Sequence, residues 1–153
     1  MKKRIIFILI LILLFSYNTI NAFEYHEEIT KIEYLLNERI KIMNFFLYGD
    51  KDIINMNDIK QQLSDIEAEE LLINDVDILY KVIDNPTDYE LSLSVKVEKI
   101  NSLEKTKEGI FINADLNWSM RGYDGDFNLI KNYNLKCVEI EEEMYLASLQ
   151  YIE

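Results

Sequence analysis

The sequence predicts an α+β domain: a long N-terminal helix and a shorter helix packed on a curved antiparallel sheet of four to five strands. Three observations carry this. Apolar residues recur at spacings of four and three through residues 25–47, the signature of one face of a helix. From residue 89 onward the pattern changes to strict alternation, the signature of half-buried strands. Short connections join those strands, so neighbours run antiparallel and one sheet face needs a cover. The long helix supplies that cover, which makes a two-layer domain.

The chain begins with a different kind of segment. "MKKR" is basic, residues 5–15 are unbroken apolar, and "SYNTINA" is more polar and ends at Ala22. This is the order of a secretory signal peptide. Eleven helical residues at about 1.5 Å each reach roughly 17 Å, short of the roughly 30 Å of a bilayer core. Cleavage after Ala22 is therefore expected, with an uncleaved anchor as the alternative. The expected division is 1–22 signal segment and 23–153 a single domain. The expected location is secreted or on the extracytoplasmic face of the envelope.

In the first helix, residues 24–48, the inward stripe is Tyr25, Ile29, Ile32, Leu36, Ile40, Met43 and Leu47, widened by Leu35, Ile42 and Phe46. Glu27, Lys31, Glu38 and Lys41 form the wet face, and Gly49 is placed to end the helix. Residues 57–66 predict the shorter helix, with Asn57 as N-cap and Ile59, Leu63 and Ile66 inward. Val76, Ile78 and Tyr80 alternate with polar neighbours and predict a strand, followed by a turn at "DNPTD". In 89–100, Leu91, Leu93, Val95 and Val97 share a face. In 110–121, Ile110, Ile112, Ala114, Leu116, Trp118 and Met120 do so. Residues 129–140 and 144–152 complete the sheet, joined at Glu141-Glu142-Glu143.

Composition narrows the partners. The formal charge is −12. Loss of residues 1–22 removes Lys2, Lys3 and Arg4 and no acid, which takes it to −15. Such a chain is ill suited to nucleic acid or anionic lipid. The expected contact is a protein partner or self-association, with membrane contact only through an uncleaved N-terminal segment. Cys137 is the only Cys, so no intrachain disulfide forms, and its expected role is a small buried hydrophobe. His26 is the only His, which leaves no His-based zinc or catalytic set. No cofactor or metal is expected.

The stretch "NWSMRGYDGDFN" invites a calcium-loop reading. Asp124, Asp126 and Asn128 make the correct start, but the Gly and Glu that define the loop are replaced by Leu129 and Leu135. A hairpin fits better. With Asp124-Gly125 central, Met120 meets Leu129, Leu116 meets Tyr133, Ala114 meets Leu135 and Ile112 meets Cys137. Only Trp118 opposite Lys131 is awkward in this register.

The helix–helix–sheet order, with Trp118, Met120 and Gly122, then Tyr133, then Tyr145 and Leu146, resembles the nuclear transport factor 2-like (cystatin-like cone) superfamily, in a secreted Gram-positive form. The resemblance implies a sheet folded over the first helix into a cone. It also implies either a non-catalytic module or an isomerase- or cyclase-like enzyme with an acid or base inside the cone. The inward series of residues 110–120 has no ionisable group, which favours the non-catalytic form. The expected function is an exported envelope or extracellular module acting through protein–protein contact. The alternative is a small apolar-ligand binder, or a degenerate enzyme of the superfamily, with Phe45, Tyr80, Trp118, Met120 and Tyr133 lining the pocket.

Overall fold

The computed structural model describes residues 2–49, 55–84 and 90–153, with side chains described for 25–49, 55–82 and 90–153. The side chains of the signal segment expected at 1–22, and residues 85–88 of the turn expected at 84–88, lie outside what is described. Among the described residues no helix is long and apolar enough to cross a membrane. The chain is α+β: helices α1 (Lys2–Tyr48), α2 (Met56–Ser64) and α3 (Glu69–Asp84), then strands β1 (Leu91–Thr106), β2 (Gly109–Gly122), β3 (Gly125–Ile140) and β4 (Glu143–Tyr151). It divides into two compact units, Met1–Ile32 and Glu33–Glu153. In the first, Thr30 Oγ1 donates to the His26 carbonyl at 2.8 Å, Lys31 pairs with Glu27 at 3.4 Å, and His26 is exposed.

The second unit contains the sheet, a four-stranded antiparallel array in the order β1-β2-β3-β4. Its inward face is built as the alternation of β2 requires. Ile112, Ala114, Leu116 and Trp118 are buried, with Leu135 and Cys137 from β3, Leu146 from β4 and Val95 from β1. Leu35, Leu36, Ile40, Ile42 and Phe46 of α1 are buried too, as are Ile59 and Leu63 of α2. Each large aliphatic side chain removed from water in this way contributes about 1.5–3 kcal/mol. A second cluster joins Ala68, Val138 and Ala147, with Tyr145 packed on it.

Tyr25, expected on the inward stripe of the first helix, is exposed. The sequence expectation also fails in four further places, each for a local reason. Residues 76–80 are helical, not a strand. In α3 the buried positions are Leu71, Asp75, Val76 and Leu79, a helical spacing, whereas Ile78 and Tyr80 are exposed. The α2 cap is Asn55, two residues before the expected Asn57. Asn55 Oδ1 accepts the Asn57 N–H at 3.0 Å. The central hairpin is shifted by two residues: Gly122 pairs with Gly125, Met120 with Phe127, Trp118 with Leu129 and Ala114 with Tyr133. A shift of two keeps every side chain on its own face, so the apolar pairing survives. It also gives Trp118 an apolar partner and moves Lys131 opposite Leu116. Gly125 takes a φ of 121°, where a Cβ is strained. Finally, β1 does not alternate regularly. Three register irregularities interrupt its ladder with β2, so Ser92, Val95, Val97, Ile100 and Leu103 meet the inward residues of β2. Bulges of this kind bend a strand, which accounts for a curved sheet.

Both sheet edges are partly closed. At β4, Ala68 N–H donates to the Leu146 carbonyl at 2.8 Å, and Leu146 N–H donates to the Ile66 carbonyl at 2.9 Å. At β1, the cover is side chains of α1. Asn37 Nδ2 donates to the Val95 carbonyl at 2.9 Å and Asn37 Oδ1 accepts the Val95 N–H at 3.0 Å. Glu33 Oε1 accepts the Val97 N–H at 2.7 Å, and Asn44 Nδ2 donates to the Ser92 carbonyl at 2.7 Å. Residues 33, 37 and 44 are separated by four and seven, so they share one helix face. They occupy the backbone groups that a neighbouring strand would otherwise take.

Candidate functional site

A half-open cavity of about 190 Å³ lies within the second unit. Its wall comes from three sources. Helix α1 gives Arg39, Ile40, Met43, Asn44 and Leu47. Helix α3 gives Ile78, Leu79 and Val82, and the sheet side gives Glu90, Ser92 and Trp118. The volume sets a size class. An apolar cavity of about 150 Å³ accepts benzene, so this one suits a single ring with a small substituent.

Most of the wall is apolar, and its polar atoms are few. Asn44 and Ser92 are engaged: Asn44 Nδ2 with the Ser92 carbonyl, and Ser92 Oγ with Met120 Sδ at 3.4 Å. Trp118 is different. It is 8% exposed, and its Nε1 is buried with no acceptor among the described residues. An indole N–H in this state ordinarily finds a partner.

Behind the wall lies a buried charge cluster. Arg39 of α1 donates through Nε and Nη2 to the two carboxylate oxygens of Asp75 of α3, at 2.6 and 2.8 Å. Such a fork is the strong form of this pair. Glu67, from the segment between α2 and α3, brings Oε1 to 3.1 Å from Arg39 Nε. Neither Glu67 oxygen has a well-formed hydrogen bond among the described residues, although the residue is only 1% exposed. Burial, then the neighbouring Asp75 carboxylate, pushes the Glu67 carboxyl up to about 9, against the pull of Arg39. Its surroundings therefore favour the protonated form. For Arg39, burial works against the charge, but the Asp75 carboxylate outweighs it and holds the guanidinium ionised.

The five pocket residues expected from sequence are brought together only in part. Trp118 lines the cavity. Met120 touches it only through Ser92. Tyr133 extends the other way, its ring 5.8 Å from Trp118 and 5.7 Å from Tyr151, with Lys131 Nζ 4.6 Å above Tyr151. Burial pushes the Tyr133 phenol up. Phe45 and Tyr80 are exposed on α1 and α3. The missed residues are Arg39, Glu67 and Asp75. A signal was present in Asp75, which occupies an inward position of the helical stripe formed by Leu71, Val76 and Leu79. The β2 interior does lack ionisable groups, but the helices supply them.

Of the acids of the central hairpin, Asp126 has a structural partner. Arg121 donates through Nε and Nη2 to Asp126 at 2.8 and 3.1 Å across the turn. Among the described residues no three His, Cys, Asp or Glu side chains are grouped as a metal site needs. A scan against models of known protein families and a search of curated proteins return no match to this chain.

Proposed function

We propose that this protein is a small-ligand-binding module whose ligand occupies the cavity between α1, α3 and the sheet. The observation that carries this is Trp118: a buried indole N–H without an acceptor, on the wall of an otherwise apolar cavity. A ligand with an apolar ring and one acceptor would satisfy it. The suggested relation to the nuclear transport factor 2-like superfamily supports this reading, because such cones commonly enclose a pocket. The secretory pattern of residues 1–22 adds that the ligand is met outside the cytoplasm.

Trp118 is the only Trp of the chain, so its fluorescence reports the site without ambiguity. A panel of single-ring compounds bearing a carbonyl or hydroxyl is expected to shift its emission and raise the melting temperature. Trp118→Phe is expected to weaken the best of them about tenfold, as loss of one buried hydrogen bond does. If emission and melting temperature stay flat across the panel, the reading fails.

A second reading, an exported module acting through protein contact, is favoured by one observation. Tyr34, Phe45 and Tyr48 stand exposed on one face of α1. A clean monomer at micromolar concentration, with no partner recovered by crosslinking on intact cells, would count against it.

A further inference from the structure

Besides the Glu90 carboxylate, which accepts, the cavity wall offers two sets of open donors. They are the Trp118 indole N–H and those guanidinium N–H groups of Arg39 that Asp75 does not take. A ligand that engages these donors must bring an acceptor, and the open question is its charge. A lone arginine would make this an anion site. Here it is not alone. Arg39 keeps 18% of its side chain exposed, but both carboxylate oxygens of Asp75 are bonded to it. Glu67 adds no positive charge, and Glu90, the other ionisable residue on the wall, is acidic. An anion entering the cavity would lose its hydration and find no uncompensated cation to replace it.

We infer that the cavity selects a neutral, single-ring compound with one acceptor oxygen over the isosteric carboxylate, and that Asp75 sets this preference by neutralising Arg39. The inference rests on the ligand-binding reading above and specifies the ligand class of that site. Asp75 acts through Arg39 and is a positioning residue that fixes the charge of the wall.

The test is a matched pair of probes, benzamide and benzoate, which share shape and differ in charge. Each is titrated into the full chain, followed by Trp118 emission and by equilibrium dialysis. Benzamide is expected to bind about tenfold more tightly, or more, since a wrongly placed charge costs that much in a desolvated site. Asp75→Asn combined with Glu67→Gln leaves Arg39 with no carboxylate beside it, and the benzamide-to-benzoate ratio is expected to fall about tenfold or to invert. Should that variant fail to fold, Arg39→Met with Asp75→Leu removes both charges together. The net charge of the wall is then unchanged, and the ratio is expected to stay within about threefold of the parent. If benzoate binds the parent as well as benzamide does, the inference is overturned while ligand binding stands. An unchanged ratio in Asp75→Asn with Glu67→Gln, or a collapsed one in Arg39→Met with Asp75→Leu, also overturns it. If neither probe binds, and the wider ring panel is silent too, the ligand-binding reading itself falls.

Discussion

Two polar networks in this protein each centre on an aspartate and have opposite surroundings. One lies among the helices: Arg39, Asp75 and Glu67, with both acids almost wholly buried. The other covers the outer face of the sheet. There Asn132 Nδ2 donates to Asp115 Oδ1 at 2.7 Å, Asn101 donates to the same oxygen at 3.1 Å, and Asn113 donates to Asn132 and Asn134 at 2.9 Å each. The hydrogen-bond lengths overlap, 2.6–2.8 Å among the helices and 2.7–3.1 Å on the sheet. What differs is the alternative each group has when a partner is lost. An outer-face carboxylate returns to water, whereas a buried one has nowhere to go. Hydrogen-bond length therefore says little about which network the fold depends on.

The largest test of that contrast is Arg39→Met. It leaves Asp75 buried beside Glu67 without a cation, and should cost about 3–5 kcal/mol in urea unfolding. A cost below about 1 kcal/mol, the range of an exposed pair, would erase the distinction between the networks.

Glu67→Gln should move stability the other way, and in a pH-dependent manner. The Glu67 carboxyl titrates near 4.5 in the unfolded chain and is pushed up to about 9 when folded. The folded state therefore holds the extra proton between these values. Stability from this group is complete below pH 4.5 and is lost as the pH rises toward 9. The amide of the variant does not ionise. The variant should match the parent near pH 4.5 and exceed it by roughly 2 kcal/mol or more at about pH 8. Parallel stability curves for the two proteins would show that Glu67 does not carry the proton.

The smallest effect belongs to the outer face. Hydrogen bonds from Asn132 and then Asn101 hold the Asp115 carboxyl below the usual carboxylate range. Its contribution is present above the ordinary Asp range and lost as the pH falls through it. Because the group faces water, Asp115→Asn should leave the urea midpoint at neutral pH unchanged within replicate scatter. A resolved loss would mean that the outer network is structural after all.

The architecture was legible where one periodicity dominated. The β2 alternation placed its buried residues correctly, the α1 stripe did so for Ile32, Leu36 and Ile40 but not for the exposed Tyr25, and the two-residue error in the hairpin left faces intact because side chains repeat every two residues. Residues 71–83 misled because apolar residues are dense there. Val76, Ile78 and Tyr80 mimic an alternation, while the acid at Asp75 breaks the helical stripe on paper. That same acid is buried because of Arg39, 36 positions earlier, and no local spacing reveals such a pairing. The candidate site was half legible for the same reason. Trp118 was marked by the β2 pattern, whereas the charge cluster exists only through the packing of two helices.

The side-chain cover of β1 bears on how the chain reaches its fold. Residues 33, 37 and 44 precede the strand they protect, so during synthesis the cover is made before the edge. When β1 emerges, a partner for Ser92, Val95 and Val97 is already present in the same molecule. A second nascent chain is a competitor for those backbone groups, and it arrives later. Order along the polypeptide thus guards against intermolecular strand exchange at a stage when no finished sheet yet exists.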